Sequence, residues 1–106
     1  MPTLLTLDTA ISSTGKLVLV AVGEIDLSNI DEFNEALAAA TAEAAARGEK
    51  VTVDLSAVEY LDSAAINALF AHADDIELIA QPLLMSALTM SGLAELVSIE
   101  VSPSEE

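Results

Sequence analysis

The sequence predicts an α/β fold, a mixed sheet of four or five strands with helices packed mainly on one face. Three observations carry this. In residues 51–56, Val51, Val53 and Leu55 alternate with Thr52, Asp54 and Ser56, the period-2 pattern of a strand with one buried face. From Ile66 the period changes: Ile66, Leu69, Phe70 and Ala73 stand at i, i+3, i+4 and i+7, one apolar stripe on a helix. Strand-like and helix-like segments then alternate along a chain of 106 residues, which is long enough for one core and too short for two, with no internal repeat or linker.

Taken in order, residues 3–8 alternate weakly, with Leu5 and Leu7 against Thr6 and Asp8, and fit a first strand near a sheet edge. Ser12-Ser13-Thr14-Gly15 reads as a turn. Residues 16–22 form a near-continuous aliphatic run, as in a central strand, which is expected to stop at Gly23. Ser28-Asn29-Ile30-Asp31 has the S-x-x-D form of a capping box and opens a helix. Its buried stripe is Ile30, Phe33, Leu37, Ala40 or Thr41, and Ala44, and Arg47-Gly48 ends it.

After the strand at 51–56, Tyr60, Leu61, Asp62 and Ser63 form the connection to the second helix, where Asp or Ser is the type that caps a helix by accepting orphan N–H bonds. Asp74-Asp75 interrupts the helical pattern, and residues 76–80 make a short apolar strand. Pro82 begins a third helix, marked by Leu84, Ala87 and Leu88, that ends at Gly92. Residues 97–101 make a last strand, and residues 102–106 are expected to be a disordered polar tail of the single domain 1–106.

Composition bounds the function. Apolar residues make up 53% and aromatics only 3%, so the core is aliphatic. No apolar run approaches the roughly 18 residues of a membrane span, so no membrane insertion is expected. There is no cysteine, and the N-terminal segment lacks a basic n-region and a cleavage site, which points to the cytoplasm. The net charge of −15 sets 18 acidic residues against Lys16, Arg47 and Lys50, which opposes direct nucleic-acid binding and favours a basic protein surface as partner.

Enzymatic readings fail on inventory. No Gly-rich phosphate loop and no His or Cys cluster is present, so neither cofactor nor metal is expected. His72 lies nine residues beyond Ser63, roughly 13 Å along one helix, too far to act as its base. Asp74-Asp75 and Glu24 with Asp26 lack the spacing of a calcium loop.

Three motifs carry a resemblance. Asp54-Leu55-Ser56 followed by Leu61-Asp62-Ser63-Ala64-Ala65-Ile66, then Gly23-Glu24-Ile25-Asp26, then Met90-Ser91-Gly92-Leu93 resemble the DLS…LDSSGL, GELD and MSGL signatures of STAS domains, specifically the anti-anti-sigma factors, or anti-sigma factor antagonists. The resemblance covers nearly the whole chain and implies a STAS-like strand order. It departs at Ala64, where Ser or Thr is usual, and at Ala65, where Gly is usual; the second helix is shortened, and the chain stops before the C-terminal helix that many relatives have.

The resemblance implies a binding module without catalytic residues. It places the phosphoacceptor at Ser63 and the partner-binding positions at Glu24, Asp26, Ser28, Asp62, Ser63, Ala64 and Ala65. The implied partners are an anti-sigma factor that is also a serine kinase, and a serine phosphatase, met by a monomer. On the residues alone, Ser63 and Ser28 are better explained as helix caps. An alternative from the same resemblance is a STAS accessory subunit that docks on a membrane transporter without being phosphorylated, for which Ala65 leaves room; a third is a domain binding a nucleotide or other small ligand.

Overall fold

The turn at residues 12–15 reverses the chain as expected. The Gly15 N–H donates to the Ser12 carbonyl at 2.9 Å and the Ser12 N–H to Lys16 O at 2.9 Å, with Gly15 at φ +86°. It joins β1 (Leu5–Ile11) to β2 (Leu17–Ile25) as an antiparallel pair. The computed structural model describes residues 4–102, which continue as α1 (Ile30–Ala46), β3 (Val51–Leu61), α2 (Ser63–Ala71), β4 (Ile76–Ala80), α3 (Pro82–Met90) and β5 (Ile99–Val101). Thr3, expected to start the first strand, lies outside the described residues.

The five strands lie side by side in chain order, with β2, β3, β4 and β5 mutually parallel. Each parallel step is made through one helix, and each moves the chain in the same direction across the sheet. Crossovers of the usual right hand then put all three helices on one face. Burial agrees: Leu17, Leu19 and Ala21 on β2, Val51, Val53 and Leu55 on β3, and Ile76, Leu78 and Ala80 on β4 are buried, while the residues between them are half-buried. Phe33, Leu37, Ala40 and Ala44 of α1, Ala65, Ala68 and Leu69 of α2, and Leu84 and Leu88 of α3 close the core from that side.

Several boundaries differ from expectation. Strand β2 does not stop at Gly23 but runs on to Ile25. Gly23 lies inside it at φ +118°, where the start of β1 passes so close that a Cβ would stand 2.4 Å from the Leu4 carbonyl oxygen. Strand β3 is nearly twice the expected length. Its alternation breaks after Ser56 because β3 carries extra residues against β2: Val20 faces Asp54 but Val22 faces Ala57, and Gly23 faces Val58 but Glu24 faces Tyr60. These two bulges shift the buried positions from Leu55 to Val58 and then to Leu61, so the strand continues while its period-2 pattern slips.

The helices differ in detail too. Ser28 does not cap α1; Asn29 holds that position and makes no side-chain cap bond. In α2 the buried face is Ala65, Ala68 and Leu69, with Ile66 and Phe70 only half-buried and Ala73 in a 3-10 turn, Ala73–Asp75, beyond. Ala87 of α3 is exposed, and Leu84 and Leu88 are the buried pair. Gly92, at φ +90°, ends the segment and is followed by the buried Leu93, as expected. The last strand is only three residues long, Val97 being buried before it. The Ser102 N–H donates to Ala80 O at 2.8 Å and carries the ladder one residue into the expected tail, whose remaining residues lie outside the described ones.

Replacing Gly23 by Ala forces both a positive φ and a backbone clash, a loss expected to be about 2–4 kcal/mol. Gly15→Ala meets open space and carries only the φ penalty, about 1 kcal/mol. Urea denaturation of the two variants measures the gap, and equal losses would refute the close approach at Leu4.

Candidate functional site

The parallel strands β2 and β3 deliver two loops to one end of the sheet. Ile25 and Leu61 are register partners at the strand ends, and the Asp62 N–H donates to Ile25 O at 3.2 Å, the last rung before the chains part. Beyond that rung, β2 enters the loop of residues 26–29 and β3 turns directly into α2. The carboxyl ends of parallel strands are where open α/β sheets usually present their binding residues.

Asp62 joins the two loops. Its backbone is extended, and its Oδ1 accepts the Ala65 N–H at 3.1 Å, the bond of a helix N-cap. Its Oδ2 accepts the Leu27 N–H at 3.0 Å. One carboxylate therefore caps α2 and ties down the β2–α1 loop. The Asp62 carbonyl accepts the Ile66 N–H at 3.1 Å. In the first turn of α2 the N–H groups of Ser63 and Ala64 make no hydrogen bond among the described residues, and the positive end of a helix dipole favours an anion there.

Ser63 is the first residue of α2 and is exposed, and its hydroxyl makes no hydrogen bond among the described residues. The expectation that Ser63 is explained as a cap is thereby corrected: the cap is Asp62, and the fold makes no use of the Ser63 hydroxyl. Ala64 is half-buried beside it. Ala65, at the position where a glycine was expected from the resemblance, is fully buried against the core, so its methyl fills space instead of facing a visitor.

The loop at residues 26–29 has its own internal frame. Asp26 Oδ1 accepts both the Ser28 N–H at 2.9 Å and the Ser28 hydroxyl at 2.6 Å. The Asn29 side chain, 4% exposed, accepts the Asp26 N–H and donates to the Glu24 carbonyl, both at 3.0 Å. Ser28 thus serves this turn rather than the helix. Glu24 faces Tyr60 in the β2–β3 register, one position before the Ile25–Leu61 pair, and both are exposed. Glu24, Asp26, Ser28, Asp62 and Ser63 are therefore all drawn to one end of the sheet.

Leu27 and Tyr60 were not among the expected site residues. Leu27 is 75% exposed at the tip of the loop that Asp62 holds, and Tyr60 is 49% exposed. A leucine between Asp26 and Ser28 in a polar turn was the available signal in the sequence. His72 sits at the opposite end of α2, as its C-cap, far from Ser63. Among the described residues no three His, Asp or Glu side chains converge as a metal site, and no helix is long and apolar enough to cross a membrane.

The family model described as "Mlab, STAS domain" matches residues 9–98. Among solved structures, an anti-sigma factor antagonist from Mycobacterium paratuberculosis superposes with a TM-score of 0.80 at 23% identity, covering 92% of this chain and 86% of that one. The anti-sigma factor antagonist SpoIIAA in its unphosphorylated form gives a TM-score of 0.68 at 11% identity, over 93% of this chain and 90% of that one. An antisigma-factor antagonist STAS domain from Rhodobacter sphaeroides gives 0.51 at 16% identity, over 73% and 85%. At these identities the likeness is one of fold. No curated protein matches the chain.

The serine and the aspartate of this junction separate under mutation. Asp62→Ala removes an N-cap and the Leu27 tie together and is expected to cost about 2–3 kcal/mol. Ser63→Ala, touching no partner, stays within about 0.5 kcal/mol of the parent. Thermal unfolding of both variants checks this, and a destabilised Ser63→Ala would show that the hydroxyl is structural.

Proposed function

The chain belongs to the STAS domain family, and from that membership we propose that it is an anti-sigma factor antagonist, a cytoplasmic binding module with no catalysis of its own. Unphosphorylated and monomeric, it captures an anti-sigma factor and so frees a sigma factor; phosphorylated on Ser63 by that partner acting as a serine kinase, it lets go. A serine phosphatase restores the binding form. The observation that carries this reading is Ser63 itself: an exposed hydroxyl at the first position of a helix that is already capped by its neighbour.

The surroundings support each half of the cycle. For binding, Leu27 and Tyr60 supply exposed apolar contacts, and Glu24, Asp26 and Ser28 supply polar ones around them. Buried aromatic and aliphatic anchors within a polar rim are the usual anatomy of a protein interface. Asp62, with Ala64 and Ala65, sets the shape of the surface from behind.

For release, a phosphate on Ser63 adds about −1.5 to −2 charges at neutral pH. The Ser63 and Ala64 N–H groups can receive it, so the fold need not change. Its effect falls on the partner. One extra like charge at 4 Å costs on the order of 4 kcal/mol at an effective dielectric of 20, and each 1.4 kcal/mol is tenfold in affinity. A single modification is therefore large enough to switch the complex off, provided that the partner presents acidic or apolar surface at this point.

Pull-down from native extract followed by phosphosite mapping identifies the partner and the modified residue. In a titration against that partner, Ser63→Ala is expected to bind as the parent does and Ser63→Glu at least about tenfold more weakly. Equal affinities would end the switch while leaving the fold intact. Recovery of the chain with membranes, bound to a transporter and unmodified at Ser63, would instead support the accessory-subunit reading.

A further inference from the structure

Among the described residues nothing covers the face of the sheet turned away from the helices. This is unusual chemistry for a parallel ladder, since parallel strands are ordinarily packed on both faces. The pairing registers place one row of side chains straight across it: Asp8 on β1, Val20 on β2, Asp54 on β3, Ile79 on β4 and Glu100 on β5. A neighbouring row runs through Val18, Thr52 and Glu77. Val18, Val20 and Ile79 are half-buried with no layer above them, and Val22 is 44% exposed. The face thus combines an aliphatic centre with four carboxylates, against the single ammonium of Lys16, whose Nζ lies 3.0 Å from Glu77 Oε1.

We propose that this face docks a cationic amphipathic helix of a partner protein, with one arginine of that helix seated in the cavity between the 12–16 turn and β5. The cavity, about 290 Å³, has Val18 and Ile79 as apolar lining, Thr52 beside them, and Glu77 and Glu100 as carboxylates. An arginine places its methylenes on the valine and isoleucine and its guanidinium between the two carboxylates. Lys16 engages Glu77, while Glu100 has no ion pair among the described residues. Five strands spaced by about 4.8 Å make a face roughly 19 Å wide, which about 13 residues of helix span at 1.5 Å each.

Charge selects this occupant over others. A second copy would bring the same carboxylates against these, and a nucleic acid or an anionic bilayer would be repelled. The face is opposite to the helix layer that contains Ser63, so docking here is independent of the proposed switch.

The test is an amide NMR titration of the full chain with a 14-residue Leu/Arg amphipathic peptide and its Leu/Gln analogue. Shifts are expected on Val20, Thr52, Ile79 and Glu100. The arginine peptide should bind about tenfold more tightly than the analogue and should weaken as salt rises. Glu100→Gln should weaken it about threefold, Ile79→Lys should abolish it, and Ser63→Glu should leave it unchanged. If Ile79→Lys fails to fold by circular dichroism, Glu100→Gln decides. Shifts confined to the helices or to residues 26–29, equal binding of the two peptides, no binding, or self-association through the same face would each overturn the proposal.

Discussion

The Asp62 carboxylate is the interaction on which the rest of the site depends. Two connections leave adjacent parallel strands, and each carries backbone N–H groups that need acceptors. One oxygen of Asp62 serves the first turn of α2 and the other serves the loop of residues 26–29. A charged acceptor shared in this way is stronger than two neutral ones, and it sets the distance between Leu27 and Ser63. Because the cap is supplied by Asp62, Ser63 is left exposed and chemically idle within the fold. A residue in that situation can be modified with little structural consequence, which is what a reversible switch requires.

Reaching that arrangement depends on the length of β3. Had the strand ended at Ser56, where its alternation fails, the junction would lie level with the end of β4, whose last residue Ala80 pairs with Leu55, and short of the end of β2. The bulges opposite Val20–Val22 and Gly23–Glu24 let β3 add residues against β2 while returning Leu61 to the buried face. The first bulge coincides with Asp54-Leu55-Ser56, where Asp54 Oδ1 accepts both the Ser56 N–H at 2.9 Å and the Ser56 hydroxyl at 2.6 Å. The motif is thus a local device for carrying a strand through an irregularity. The same extension brings Glu24 and Tyr60 opposite each other, so the edge that presents Ser63 also presents an aromatic ring and a carboxylate.

Electrostatics gives the two faces of the molecule different characters. The helix side is closed by an aliphatic core and presents a small mixed site at one end. The uncovered sheet face is acidic around a valine and isoleucine centre. The chain has three Lys and Arg against 18 Asp and Glu, and Lys16 is committed to Glu77, so negative charge dominates the surface. In the proposed switch, a phosphate on Ser63 would act at that end and leave the other face as it was.

The chain by itself determined the α/β class, the order of its elements, the aliphatic stripe of α1, the turn at Gly15, the helix stop at Gly92 and the Asp62-Ser63 junction, because each of these rests on local periodicity or on the chemistry of a single residue type. The STAS signatures were legible separately, as a resemblance carried by three short contiguous motifs. Only the tertiary structure decided the rest. The roles of Asp62 and Ser63 as cap and free hydroxyl could not be separated locally, since either side chain can accept a helix N–H. Ser28 met the pattern of a capping box, but Asp26 is closer to it in space and takes its hydroxyl. Leu27 became a site residue only when a carboxylate 35 positions away held its loop against α2. Gly23 read as a strand end because glycine commonly breaks strands, whereas here it admits the backbone of Leu4 against a continuing strand. Those outcomes depend on which segments lie side by side, and that is set by strand register and crossover handedness, which no local stretch encodes.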